Sequence, residues 1–230
     1  MKKSILMVFA LTALVLTSCK KEASATEDTV DSTAVSNSDA PAVEGAEAFA
    51  VQPADSKLDW EGGKISGDKH SGFINFKEGE VLVKDGKVVG GKFVLDMNTI
   101  ESTDIKDDPE MKTMLDGHLK GTAEDKEKAD HFFNVTQYPT ATFEITSVAE
   151  ENGKQVVEGN LTIKDKTNPI KFTAQVKVDG DNASLVSDEI IIDRTKWNVN
   201  YNSGSVIKDL AADKVIKDEI KVLVSVLAKK

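Results

Sequence analysis

The feature that most constrains the fold is an alternation of apolar and polar residues, which recurs from about Lys57 to the end of the chain. It is clearest between Ile170 and Val178, where every second residue is apolar, and it recurs between Val157 and Lys164. A period of two places successive side chains on opposite faces and indicates half-buried β-strands.

Turn residues separate these alternating runs. Asp85-Gly86, Asn152-Gly153 and Asp179-Gly180 are pairs that suit the positive φ values of tight hairpins, and Thr167-Asn168-Pro169 is predicted to close another connection. We count about eight predicted strands, mostly joined to their neighbours in sequence, which favours an antiparallel meander. Such a sheet either stacks as a sandwich or closes into a barrel, and an eight-stranded barrel can hold one small ligand.

One segment departs from this pattern and predicts a helix over residues 107–120. Met111, Met114, Leu115 and His118 recur there at spacings of three and four residues. An acidic start, a proline in the first turn and Gly121 after the last turn are signals of helix ends. We expect this helix to pack over an end or side of the sheet.

The N-terminus has the form of an export signal, predicted over residues 1–18. A short basic start precedes an apolar run that is too short for a lasting membrane span. The sequence Leu16-Thr17-Ser18-Cys19 resembles the bacterial lipobox, in which the cysteine is acylated and becomes the new N-terminus. Cys19 is the only cysteine of the chain, so a disulfide within one chain is excluded. The alternative is an ordinary secretory signal that ends near a cysteine.

The residues after Cys19 are predicted to form a disordered tether over 19–55, followed by one folded domain over 56–230. The tether is rich in small and acidic residues and shows no lasting apolar period. Lys20 follows the cysteine, which favours attachment to the outer membrane, on either its periplasmic or its surface face. The net charge of −10 argues against nucleic acid as a partner.

A series of short motifs in the folded part resembles the YceI-like domain family. The motifs, in order, are Trp60, His70-Ser71-Gly72, Gly90-Gly91-Lys92-Phe93, Asp96-Met97-Asn98-Thr99-Ile100, His118-Leu119-Lys120, Phe132-Phe133, Tyr138-Pro139-Thr140-Ala141-Thr142-Phe143, Gly159-Asn160-Leu161-Thr162-Ile163 and Asp193-Arg194-Thr195-Lys196-Trp197-Asn198-Val199 with Tyr201 and Ser203-Gly204-Ser205. The resemblance implies an all-β fold, an antiparallel eight-stranded lipocalin-like barrel with one inserted helix. Two departures are a charged stretch over 121–129, which resembles an insertion, and Asn198 and Asn202 where members often have glycine.

The resemblance also implies an apolar interior that binds a polyisoprenoid or a similar amphiphile, such as a quinone. The residues expected to line it are Phe73, Phe76, Phe93, Met97, Met111, Met114, Leu115, Phe132, Phe133, Phe143, Phe172 and Trp197. The alternative for this set is an ordinary packed core, and sequence alone does not separate the two.

Three polar residues are candidates for contact with a ligand head group: Arg194, His70 and His118. Arg194 is the only arginine beside 28 lysines, and its guanidinium offers a planar fork of donors that lysine lacks. Its structural alternative is a fixed ion pair with Asp193 or Asp96. The three histidines are too scattered for a metal motif, and we expect His131 to be a surface residue and no metal to be bound.

The sequence therefore predicts a lipid-anchored envelope protein that carries or stores an isoprenoid-like molecule, with no cofactor and no catalysis. No nucleophile elbow, phosphate loop or spaced carboxylate pair is present. The alternatives are an envelope stress or interaction protein with a filled barrel, and an enzyme or haem-type accessory. A homodimer is compatible with all three.

Overall fold

The computed structural model describes residues 43–123 and 126–230, so the predicted signal peptide, Cys19 and the tether up to residue 42 lie outside the described residues. One α-helix, α1 (Pro109–Lys120), follows the fourth strand. The strands are β1 (Glu47–Val51), β2 (Lys57–Gly63), β3 (Lys69–Lys84), β4 (Lys87–Ser102), β5 (Thr140–Glu151), β6 (Lys154–Ile163), β7 (Lys166–Asp179), β8 (Asn182–Ser187), β9 (Ile190–Asp193) and β10 (Glu219–Lys229).

These strands form a closed antiparallel barrel of eight strand positions. β2 to β8 pair in sequence order, and β10 closes the ring by pairing with β2 at Val224↔Leu58 and with β8 at Val226↔Leu185. β1 extends the β2 position along β3 and β10, while β9 extends the β8 position along β10. The predicted eight-stranded barrel is confirmed, and the sandwich alternative is excluded.

The predicted hairpin turns are confirmed, with one exception. Asp85 and Asn152 have φ values of 52° and 54°, and each precedes a glycine that also has positive φ. The prediction of a turn at Thr167-Asn168-Pro169 is wrong, because these residues lie in β7 and the turn is at Lys164, whose φ is 54°. Proline is tolerated there because this part of β7 pairs only with β6, at Asn160↔Pro169, and has no strand on its other side.

The predicted helix is confirmed as α1. Asp108 caps its N-terminus by accepting a hydrogen bond from the Met111 amide at 2.9 Å, and Pro109 occupies the first turn. Gly121 ends the helix in the left-handed conformation, with φ of 71°. A Cβ at Gly121 would lie 2.1 Å from the Ala129 carbonyl oxygen, so the chain after α1 returns directly against the helix end.

A partly buried carboxylate joins α1 to β4. Asp116 Oδ1 accepts hydrogen bonds from the Ser102 amide at 2.7 Å and the Ser102 hydroxyl at 2.8 Å, and Lys112 Nζ lies 2.6 Å from Asp116 Oδ2. Burial raises the pKa of Asp116, but the hydrogen bonds from Lys112 and Ser102 outweigh it, so that the net effect lowers this pKa.

The two ends of the barrel differ. One end, here the open end, carries the β2–β3 and β6–β7 turns, α1 and the segment 194–218. The opposite, closed end carries the β3–β4, β5–β6 and β7–β8 turns and is filled by buried side chains. This filling includes Phe49, Val51, Val81, Val83, Val88, Ile145, Val157, Ala183 and Ala228.

The filling of the closed end corrects the predicted domain boundary. β1 lies within the segment predicted as a tether, and Phe49 is only 1% exposed. β1 pairs with β3 at Phe49↔Val81, so the barrel begins at least nine residues before the predicted start at residue 56. The signal is weak in sequence because β1 spans only five residues, of which Ala48 and Ala50 blur the alternation. Every strand, α1 and both apolar clusters lie within residues 47–229, and we therefore expect residues 43–230 to fold by themselves.

Candidate functional site

A cavity of about 680 Å³ occupies the barrel between the filled closed end and the open end. Its wall is mostly formed by apolar side chains of the strands, of α1 and of the segment after α1. Its polar lining residues come from the β2–β3 turn, the start of β3, α1 and the segment after β9. The barrel is thus neither a filled core throughout nor an open channel.

Nine of the twelve residues predicted to line the interior lie on the cavity wall. They are Phe76, Phe93, Met97, Met111, Leu115, Phe132, Phe133, Phe143 and Phe172. Because strands alternate, the inward positions of β3 and β4 supply Phe76, Phe93 and Met97, and α1 contributes Met111 and Leu115.

The prediction is wrong for Phe73, Met114 and Trp197, which do not line the cavity. Phe73 immediately precedes the inward-facing Ile74 and therefore lies on the outer face of β3. Met114 is 68% exposed on α1. Trp197 is buried in a second apolar cluster, where its indole Nε1 donates a hydrogen bond of 2.9 Å to the Leu161 carbonyl oxygen.

Four phenylalanine rings form a continuous row inside the barrel. Phe93 packs edge-on against Phe76 at 6.2 Å and stacks with Phe143 at 6.3 Å, and Phe143 lies 5.7 Å from Phe172. Gly159 allows this arrangement, since a Cβ at that position would lie 2.4 Å from the Phe143 ring. The row gives one side of the cavity an aromatic surface.

Aliphatic residues complete the wall, and the sequence analysis missed them. They are Leu58, Ile74, Leu95, Ile100, Leu119, Leu161, Ile163, Ile170, Leu185, Ile190, Ile192, Val222, Val224 and Val226, among others. The period-two pattern could have found many of them, because the same alternation that predicts a strand also assigns its inward face.

Two histidines that are separate in sequence meet at the open end. His118 Nε2 lies 2.9 Å from His131 Nδ1, and the His131 ring stacks on Tyr201 at 4.1 Å. His118 also contacts Tyr201 and Phe132 edge-on, at 4.9 and 5.1 Å between ring centres. Burial lowers the pKa of His118, and the nearby His131 and Lys128 lower it further.

This cluster was only partly foreseen. His118 lies on the cavity wall as predicted for a head-group candidate, together with Tyr201, which the sequence analysis did not select. His131 is half-buried in the cluster and is not the surface residue that we expected. Only the return of the chain after α1 brings it to His118, and no sequence pattern encodes that contact.

Arg194 is held by the backbone of the open end. Its side chain is 3% exposed, and its guanidinium donates to the carbonyl oxygens of Val199 at 2.5 Å, Lys217 at 2.9 Å and Ile216 at 3.1 Å. Its ion-pair partner is Asp218 at 3.7 Å, not Asp193 or Asp96 as predicted. Burial lowers the pKa of Arg194, whereas the neighbouring carboxylates raise it. These contacts join the segment after β9 to the start of β10, as the structural alternative expects, and Arg194 also lies on the cavity wall, as expected for a head-group candidate.

His70, the third head-group candidate, also lies on the cavity wall. Its Nδ1 is 2.9 Å from Asp104 Oδ2, and Asp104 Oδ1 accepts a hydrogen bond from the Ser71 amide at 3.0 Å. Burial raises the pKa of Asp104, but the hydrogen bonds from Ser71 and His70 outweigh it and the net effect lowers this pKa. This contact joins β3 to the segment that leads into α1.

Within residues 43–123 and 126–230, no group of three or more histidine, cysteine or acidic side chains is arranged to hold a metal ion. The same part of the chain contains no helix that is long and apolar enough to cross a membrane.

The closed antiparallel barrel encloses an apolar cavity whose wall includes residues of α1. These features define the class of barrels whose interior leaves room for a small ligand. Within that class the chain belongs to a specific family. The model of the YceI-like domain matches residues 49–228, which is most of the chain, and the resemblance seen in the sequence motifs is thereby confirmed.

Relatives in sequence are similar over a shorter stretch. The chain is 37% identical over 54 residues to the Protein YceI of Salmonella arizonae and, equally, to that of Salmonella newport. This match covers 24% of the chain and 28% of each relative, so the chain spans less than a third of the length of these relatives.

Solved structures share the fold over most of the chain. The crystal structure of Burkholderia cenocepacia BcnA has a TM-score of 0.56 at 21% identity, covering 78% of this chain and 99% of that one. A polyisoprenoid binding domain from Saccharophagus degradans, implicated in plant cell wall breakdown, has a TM-score of 0.54 at 14% identity, covering 79% and 97%.

Proposed function

We propose that this protein binds one isoprenoid-like apolar chain in its barrel and carries or stores it in the cell envelope without catalysing a reaction. The observation that carries the proposal is the cavity of about 680 Å³ with an apolar wall. Ligand cavities commonly measure about 300–1,000 Å³ and have mostly apolar linings with few polar groups. The name of the similar domain from Saccharophagus degradans supports an isoprenoid as the guest class.

The arrangement of the wall suggests how the guest lies. Its tail would occupy the aromatic and aliphatic middle of the barrel, where each Å² of apolar surface removed from water contributes about 25 cal/mol. Its polar head would lie at the open end, near His118, Tyr201 and His70, which are polar residues of the wall there. Arg194 also lines the cavity at this end, and its hydrogen bonds to three carbonyl oxygens support a role in stabilising the mouth, with any head-group contact secondary to it.

Uptake from detergent tests the proposal with a matched pair of variants. Ala141 lies on the cavity wall of β5, whereas Ala149 is exposed on the same strand. Residues 43–230 are mixed with a quinone or a polyprenyl phosphate in detergent, and co-elution with the protein is measured. We expect uptake by the unsubstituted barrel and by Ala149→Phe, and little uptake by Ala141→Phe, which fills the cavity. Absence of uptake by all three, with each folded, would overturn the proposal.

We propose further that the chain is exported and anchored through acylated Cys19, with the outer membrane as its site. The lipobox-like Leu16-Thr17-Ser18-Cys19 and the following Lys20 support this. Two or more acyl chains give stable membrane attachment, unlike a single chain. The test is incorporation of labelled palmitate, which we expect in the full chain and not in Cys19→Ala; equal labelling of both would contradict the anchor.

A further inference from the structure

The open end of the barrel has an apolar rim. Of the eight exposed large apolar side chains in the part of the chain that the structure describes, five lie in segments that border the cavity mouth, and none lies in a turn of the closed end. These five, here called the rim, are Ile65, Met111, Met114, Val206 and Ile207.

The rim segments are joined to one another by direct contacts. Ile65 in the β2–β3 turn donates its amide to the Val215 carbonyl oxygen at 3.1 Å. The β2–β3 side is joined to the segment before α1 by the His70–Asp104 contact at 2.9 Å. α1 in turn meets the segment after β9 through His118 and Tyr201. The three segments therefore surround one mouth.

The rim meets the cavity wall at Met111. Met111 is 40% exposed and also lines the cavity, so apolar surface runs from the interior to the outside without a polar break at this helix. Exposed apolar side chains grouped around a cavity mouth are typical of a site that meets a membrane or another protein.

Charge at the mouth differs from that of the whole chain. The segments 64–69, 103–139 and 194–218 contain 12 basic and 13 acidic residues, so their charges nearly balance, whereas the net charge of the chain is −10. An approach to a bilayer is thus not opposed by a net negative face. The first and last described residues lie at the closed end, opposite the mouth. Val43 packs near Gly90 there, and the Lys230 amide donates a hydrogen bond to the Asp181 carbonyl oxygen.

We propose that the rim docks on a lipid bilayer, so that an apolar guest passes between the membrane and the cavity without crossing water. This inference rests on the proposed function, because docking serves to transfer the guest that the cavity is proposed to bind. A bilayer is the occupant that the structure favours, because the rim surrounds the mouth of an apolar cavity and carries balanced charge. A protein partner on the same surface would seal that mouth.

Flotation with phosphatidylcholine vesicles tests the proposal on residues 43–230. The rim variant carries Ile65→Ser, Met114→Ser and Val206→Ser, none of which lines the cavity. The control carries Val186→Ser, Ile191→Ser and Leu223→Ser, which are equally exposed apolar positions on the outside of β8, β9 and β10. We expect vesicle partitioning to fall by at least about tenfold in the rim variant and by less than about twofold in the control.

Three outcomes would overturn the docking proposal. The first is no partitioning of the unsubstituted barrel onto vesicles, and the second is an equal loss of partitioning in both variants. The third is a dimer, detected by sedimentation, that buries the rim and so prevents it from contacting vesicles. Guest uptake from detergent, measured on the same proteins, separates this proposal from the proposed function. Guest uptake without vesicle binding refutes only the docking proposal. Vesicle binding without guest uptake refutes only the proposal that the cavity binds an isoprenoid-like guest.

Discussion

His118 Nε2 and His131 Nδ1 lie 2.9 Å apart at the open end of the barrel, although 13 positions separate them in sequence. A hydrogen bond between two imidazoles needs one nitrogen without a proton, so the contact is lost when both rings are charged. Burial also opposes the charged form of His118 and lowers its pKa from the ordinary value of 6.5.

This contact predicts a pH dependence of stability. Below pH 6.5 the unfolded chain binds a proton at His118 more readily than the folded protein, so the free energy of unfolding falls as pH falls from 6.5 toward the lowered folded-state pKa. Above pH 6.5 the contribution is fully present. Urea titrations from pH 8 to pH 5 should show a steeper loss for the unsubstituted protein than for His118→Phe. Parallel curves would show that His118 does not titrate as described.

Removing the carboxylate of Asp116 should release α1 from β4. Asp116→Ala leaves the Ser102 amide and hydroxyl without their acceptor, and we expect a loss of about 2 kcal/mol in the free energy of unfolding. Glu110→Ala is the control, since it removes an exposed carboxylate from the same helix, and we expect it to cost well under 1 kcal/mol. Equal effects of the two substitutions would contradict a specific role for Asp116.

The free energy of unfolding at low pH provides a second measurement on Asp116. Because the pKa of Asp116 is lowered from 3.8, its contribution is present above that value and is lost as pH falls through the folded-state pKa. The difference in stability between the unsubstituted protein and Asp116→Asn should therefore shrink at low pH.

Arg194→Lys should destabilise the fold more than it weakens ligand binding. A lysine cannot reach the carbonyl oxygens of Val199, Lys217 and Ile216 together, and the loss should be about 2 kcal/mol or more. Denaturation and guest uptake by the folded fraction are measured on the same sample. Unchanged stability with abolished uptake would restore the head-group interpretation of Arg194.

Phe49→Ala should destabilise the closed end by about 3–5 kcal/mol, because it removes a fully buried ring from the core. Glu47→Ala, on the exposed face of the same strand, should have little effect. The comparison tests whether β1 belongs to the barrel, and a small loss for Phe49→Ala would return this segment to the tether.

The alternation of residues was sufficient to predict the barrel but not its interior. In β6 and β7 the alternation of apolar and polar residues predicts both the strand and its two faces. The acidic start with Pro109 and the glycine at 121 predict both ends of α1. Whether Phe76 and Phe93 fill the centre or surround a cavity depends on the barrel radius and on how far the closed-end side chains reach. The spacing of apolar residues in the sequence predicts neither the barrel radius nor the reach of those side chains.

Contacts between distant segments were also beyond the sequence. His131 meets His118 because the chain after Gly121 folds back on α1, and Asp218 meets Arg194 because β10 begins beside the segment that follows β9. Local patterns carry no information about either pairing. By contrast, the departure at Asn198 and Asn202 from the glycine that is frequent in the family has a local explanation. Both residues have positive φ, a conformation that glycine favours and that asparagine tolerates.

Locating a guest inside the barrel tests the proposed function directly. An unlabelled polyprenyl phosphate is added to isotopically labelled residues 43–230, and nuclear Overhauser effects are recorded between guest and protein methyl groups. We predict contacts with Leu58, Leu185 and Val226 of the cavity wall and none with Val186 or Leu223 on the outer surface. Contacts with the outer methyl groups alone, or none with the wall at saturating guest, would contradict the claim that this cavity is the binding site.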